Sequence, residues 1–75
     1  MKEKVYAILR EFMRDQSVSI SPDQSLMADL GLNSIDVISI IGRFEDEFDI
    51  EIPDQDLRIF QTVNDILAYL SRKKA

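Results

Sequence analysis

A hydroxyl placed for chemistry stands out in the segment DLGLNSIDVISII, residues 29–41, where a glycine-bearing loop gives way at Ser34 to an apolar, helix-like run. A serine at a helix start has two uses. It can cap the helix by accepting from a free backbone N–H, or its hydroxyl can take part in a reaction. Hydrolytic attack is excluded, because a nucleophilic serine needs an imidazole or equivalent base and the chain has no histidine. The local string Gly31-Leu32-Asn33-Ser34-Ile35 is not the G-x-S-x-G elbow, and no Rossmann or P-loop fingerprint is present. The remaining chemical role is passive: the hydroxyl is a place where another enzyme attaches a group. A phosphate suits that position, since the free N–H groups and positive dipole end of a helix face an anion. Local chemistry leaves capping and modification both open.

The elements that must hold Ser34 follow from hydrophobic spacing. Val5, Ile8, Leu9, Phe12 and Met13 recur as one face of an amphipathic first helix, from about residue 2 to about residue 15. A long stretch over residues 15–33, with Pro22, Gly31 and several Ser and Asp, shows no period and reads as a loop that Ile20, Leu26, Leu30 and Leu32 pin to the core. The second helix is expected to begin at Ser34 or Ile35 and to end near Phe48, burying Val37, Ile40, Ile41, Phe44 and Phe48. Gly42 within it costs about 1 kcal/mol against alanine and marks a close approach or a bare surface patch. Pro53 stops regular structure, and Asp54 is placed to cap a short helix holding Leu57 and Phe60. The tripeptide IEI alternates like a strand but has no partner. Thr62 and Asp65 are spaced as a capping box for a last helix with Val63, Ile66, Leu67 and Leu70 inward, while Arg72, Lys73 and Lys74 suit its negative end. The fold class expected is all-α: a four-helix bundle of three main helices and one short one, with a long loop between the first two, in a single domain over residues 1–75.

Composition narrows the function. No cysteine is present, so disulfides and thiolate metal sites are excluded, and with no histidine the usual zinc ligand is missing too. The acidic stretch DEFDIEIPDQD fits no calcium loop, because in neither register do a glycine at position six and a glutamate at position twelve occur; no metal site is expected. The net charge of −5 is uneven: residues 29–56 hold nine acidic groups and only Arg43, whereas residues 57–75 hold four basic groups and only Asp65. An acidic middle argues against nucleic acid and anionic membrane as partners and favours a protein with a basic patch. The seven carboxylates from Glu45 to Asp56 should repel one another unless Arg58, Arg72, Lys73 and Lys74 fold back over them. No apolar run is long enough to span a bilayer and the charged start has no signal-peptide pattern, so a cytoplasmic location is expected.

The segment DLGLNSIDVISII resembles the D-L-G-x-D-S-L-x-x-x-x-h-h pattern of acyl carrier proteins, where h is apolar, at Asp29, Leu30, Gly31, Ser34, Ile40 and Ile41. FEDEFDIEIPD resembles the acidic end of that family's second helix and the loop after it, and TVNDILAYL its final helix, so the likeness spans nearly the whole chain. The resemblance implies an acyl-carrier-type four-helix bundle that is not an enzyme. Ser34 would carry a 4'-phosphopantetheine arm, derived from coenzyme A, whose thiol holds acyl groups as thioesters. It also implies a monomer met by a phosphopantetheinyl transferase and by acyl-transferring and condensing enzymes with basic docking patches. The partner-binding residues carried over are Asn33, Ile35, Asp36, Ser39, Arg43, Glu45 and Asp46. An acyl-chain pocket is expected among Ile38, Ile41, Leu57, Ile59 and Phe60, which otherwise serve as ordinary core. Asn33 and Ile35 stand where the family usually has aspartate and leucine, and Ser39, Arg43 and Gly42 depart from its second helix, pointing to a specialised carrier. The cargo stays open among fatty acyl, polyketide, aminoacyl and D-alanyl groups. A rival reading is a carrier-like interaction module that is never modified.

Overall fold

A computed structural model describes residues 1–74, with side chains through Lys73. Regular structure among them consists of three α-helices, α1 (Lys2–Phe12), α2 (Ser34–Phe48) and α3 (Val63–Lys74), with a 3-10 helix at Asp54–Ile59 between α2 and α3. Val5, Ile8 and Leu9 of α1 face Val37, Ile40, Ile41, Phe44 and Phe48 of α2 in one core. α1 and α2 thus bury the stripes their spacing predicts, and that burial, not helix propensity, holds helices this short.

α1 ends at Phe12, earlier than the apolar spacing suggests. Met13 is extended, although its side chain stays in the core. The chain turns there because side chains take over the carbonyls a further turn would use. The Gln16 amide donates to the carbonyls of Arg10 (2.9 Å) and Met13 (2.7 Å), and the Asp15 carboxylate accepts from the Ser17 N–H (3.0 Å).

The long connection to α2 is not free. Leu26, Leu30 and Leu32 are buried and Ile20 half-buried, as expected. Backbone bonds add a second tether. Leu26 N–H donates to Gln61 O (3.0 Å), Val63 N–H to Gln24 O (3.0 Å) and Asn64 N–H to Pro22 O (2.9 Å). These bonds sew the loop to the start of α3 and supply partners for peptide groups that could not be left bare. Gly31, at φ 72°, makes the last bend before α2 in a left-handed conformation that strains side-chain-bearing residues.

After α2 one side chain organises the turn. Asp49 is left-handed at φ 53°, its N–H returning to Glu45 O, and the N–H of Ile50 reaches the same carbonyl. The Glu45 carboxylate accepts from the Ile52 N–H at 2.9 Å, which seats Ile52 in the core. The segment IEI is therefore irregular. Asp54 does not cap the 3-10 helix; Pro53 holds the cap position and no side chain bonds there. The capping box of α3 does form: Thr62 Oγ1 accepts from Asp65 N–H (3.2 Å) and Asp65 Oδ2 from Thr62 N–H (2.9 Å).

The crowded carboxylates find partners chiefly outside the cationic end of the chain. Lys4 of α1 reaches Glu47 at 3.1 Å, Glu45 holds the Ile52 N–H, and Asp56 accepts from the Tyr69 hydroxyl at 2.6 Å. Arg72 and Lys73 lie against the Tyr69 ring instead, 5.8 and 5.6 Å from its centre. The role expected of the Lys74 side chain lies outside the described residues.

Two outcomes follow for stability. A Cβ added at Gly42 meets nothing within 4 Å, so the glycine marks open surface and not a close approach. Gly42→Ala should raise unfolding free energy by up to about 1 kcal/mol in denaturant titration. Burial, with the Asp56 carboxylate beside it, pushes the Tyr69 hydroxyl up to about 12, against about 10 for an unfolded tyrosine. The raised folded value means that this contribution is full below pH about 10 and is lost as pH rises towards about 12. The stability gap between the natural chain and Tyr69→Phe should therefore be constant near neutrality and shrink across that window, read by urea melts at stepped pH.

Candidate functional site

Ser34 is the first helical residue of α2 and does not cap it. Asn33 does. Its side chain accepts from the Asp36 N–H (2.8 Å), while Asp36 Oδ2 accepts from the Asn33 N–H (3.1 Å), a reciprocal capping box. Arg14, just beyond α1, ties the box down by an ion pair to Asp36 at 3.0 Å and a longer bond to the Gly31 carbonyl at 3.5 Å. The Asn33 N–H and then the Arg14 guanidinium hold the Asp36 carboxyl below its usual range. The consequence for Ser34 is freedom. It is exposed, and its hydroxyl makes no hydrogen bond to a described residue.

The hydroxyl opens onto a pocket of about 250 Å³ lined by Met27, Ser34, Val37, Ile38, Leu57, Arg58, Phe60 and Gln61. The loop before α2, the first two turns of α2 and the 3-10 segment each give it a wall. Of the expected pocket residues, Ile38, Leu57 and Phe60 line it. Ile41 does not, because it points into the core, and Ile59 faces outward. Met27, Val37, Arg58 and Gln61 were not foreseen. Met27 and Gln61 carry no periodic signal, and Val37 reads simply as core. Arg58 was legible only as part of a basic tail.

Around the hydroxyl three large apolar side chains stand in solvent: Ile35 is 75% exposed, Ile38 57% and Met27 54%. The residues expected to meet partners divide into two groups. Ile35, Ser39 and Asp46 are exposed. Asn33 and Asp36 are occupied in the capping box, Glu45 holds the turn after α2, and Arg43 makes a two-pronged pair with Glu11 of α1 at 3.2 and 3.0 Å. That pair holds the Glu11 carboxyl low and the Arg43 guanidinium high. Ion pairs across the α1–α2 seam thus neutralise much of the charge that spacing alone assigns to an outward acidic face. Among the described residues no three Asp or Glu side chains gather as metal ligands would, and no helix is long and apolar enough to cross a membrane.

Residues 3–70 match the family model described as a phosphopantetheine attachment site. Curated relatives are acyl carrier proteins: that of Syntrophobacter fumaroxidans is 36% identical, covering 100% of this chain and 93% of its own. That of Chlorobium phaeobacteroides is 37% identical over 97% and 94%. A solved structure of a protein assigned as an acyl carrier from Mycobacterium tuberculosis superposes with a TM-score of 0.86 at 31% identity, covering 95% of each chain. The prosthetic group of this family is 4'-phosphopantetheine, and the site fits it: an unbonded, exposed hydroxyl on the first turn of a helix, whose N-terminal end favours a phosphate, at the mouth of a largely apolar pocket. The family carries groups between enzymes and does not itself catalyse. On sequence and fold alike, this chain belongs to the phosphopantetheine-attachment family of acyl carrier proteins.

Proposed function

We propose that Ser34 is the residue that receives the 4'-phosphopantetheine arm, and that the chain delivers acyl thioesters to partner enzymes of a specialised pathway in the cytoplasm. The observation that carries the reading is the free hydroxyl of Ser34, left available because Asn33 takes the cap. The arm, once joined, supplies a thiol on which an acyl group is held as a thioester. The chain's own residues present, shelter and orient. α2 fixes the hydroxyl at its end, and Ile38, Leu57 and Phe60 offer apolar walls to the first part of a cargo. Ile35, Ile38 and Met27 form the apolar centre of a docking face around the attachment point. Asp46 offers charge to a basic partner patch, whereas Asn33, Asp36 and Glu45 contribute by holding the backbone. The departure at Asn33 and the paired Arg43 leave less free negative charge beside the serine than a generic basic patch would meet, which supports a dedicated set of partners.

Incubation with a phosphopantetheinyl transferase and coenzyme A should add one arm by intact mass, and Ser34→Ala should add none. Equal modification of the variant overturns the assignment, and no modification of either chain favours the unmodified interaction module. A second outcome concerns Arg43. Its removal frees the Glu11 carboxylate and strips a cation from the α1–α2 surface. Arg43→Ala should therefore speed loading by a housekeeping enzyme with a basic docking patch, chiefly through the encounter rate, and the gain should shrink with added salt. Slower loading by the chain's own partner would instead make Arg43 a specificity contact.

A further inference from the structure

We propose that Arg58 is the counter-ion of the phosphodiester that joins the arm to Ser34, so that the base of the arm is held across the pocket mouth between α2 and the 3-10 helix. The inference rests on Ser34 being the attachment point. A phosphodiester on Ser34 Oγ places its two non-bridging oxygens, which share one negative charge, on the phosphorus bonded to that oxygen. Ser34 and Arg58 line the same pocket, so the negative charge is created at the rim that Arg58 shares. Arg58 is the only charged side chain among the lining residues, and apart from Ser34 and Gln61 the others are apolar. A charge pair at such a rim is less screened than one on open surface.

The state of the other arginines strengthens the assignment. Arg10 donates to the Gln16 carbonyl, Arg14 to Asp36, Arg43 to Glu11, and Arg72 covers the Tyr69 ring. Arg58 alone among the arginines has a guanidinium with no hydrogen bond, ion pair or ring contact to a described residue; its backbone carbonyl accepts from the Gln61 side-chain amide. No carboxylate among the described residues pairs with it: Asp36 is taken by the capping box and Arg14, Asp29 holds the Ser25 N–H, and Asp56 on the same 3-10 helix accepts from the Tyr69 hydroxyl. The planar fork of a guanidinium matches two phosphate oxygens, and the positive end of α2 acts in the same direction.

The test starts from holo protein verified by intact mass, so a failure of attachment is read before Arg58 is questioned. The Arg58 Nε–H resonance, identified by its loss in Arg58→Lys, should shift when apo protein becomes holo. The 31P resonance of the holo protein should shift in Arg58→Gln and return part of the way in Arg58→Lys, with both displacements shrinking as salt is added. Backbone amide spectra away from the pocket serve as the fold control for these exposed substitutions. A 31P resonance at the same position in the natural chain and Arg58→Gln overturns the proposal. An Arg58 signal that moves only when an anionic cargo is loaded, or only when a partner enzyme is added, overturns it too and reassigns Arg58 to that cargo or partner.

Discussion

The reciprocal hydrogen bonds between Asn33 and Asp36 are the constraint on which the site depends. They fix where α2 starts, and so which residue is first on its opening turn. They also use up the backbone donors that a neighbouring serine would otherwise compete for. Moving the cap by one residue would spend the Ser34 hydroxyl on structure and shorten α2 by that residue. Arg14 extends the constraint to the end of α1, so the helix that carries the serine is registered against the helix it packs on. Placement of a reactive atom here follows from caps and packing more than from any property of the serine.

Charge is handled along the same seam. Lys4 with Glu47, Arg43 with Glu11 and Arg14 with Asp36 pair α1 or its end with α2 at three heights. Exposed pairs of this kind contribute little to stability one by one. Their larger effect is on the field a partner meets: carboxylates that look available in the sequence are already coordinated by cations of the same chain. Asp46 stays exposed, and the surface around the serine becomes mainly apolar, with Ile35, Ile38 and Met27 standing in solvent.

Much of the architecture was legible beforehand because it rests on local rules. The stripe of α2 could be read at its 3.6-residue period, the box at Thr62 and Asp65 by its spacing, and the pinning leucines of the long loop by their size in a polar stretch. The resemblance pointed to Ser34, and the geometry around it explains why that hydroxyl is free. What could not be read depends on contacts between distant segments. Nothing near Arg43 in sequence announces Glu11, and nothing near Met13 announces that Gln16 will fold back and end α1 early. Glu45 reads as a surface carboxylate and becomes the pin of a turn because Ile52, seven residues on, needs a partner for its N–H. The lining of the cavity was legible only in part for the same reason: it comes from three segments, and of it the resemblance named Ile38, Leu57 and Phe60.

The wall formed by the 3-10 helix differs in kind from the rest of the bundle. None of its residues is buried, whereas α2 is sunk into the core along its length. Ile52 and Phe60 clamp the backbone on either side, and between them Leu57 packs half-buried against the core and Asp56 accepts from the Tyr69 hydroxyl. Such a segment opens at a smaller free energy than the helices it bridges. The cavity therefore has one side, the 3-10 helix, that is less deeply packed than α2. If the pocket takes a cargo, as proposed, the room for it would come from this side first, with the bundle that presents it intact.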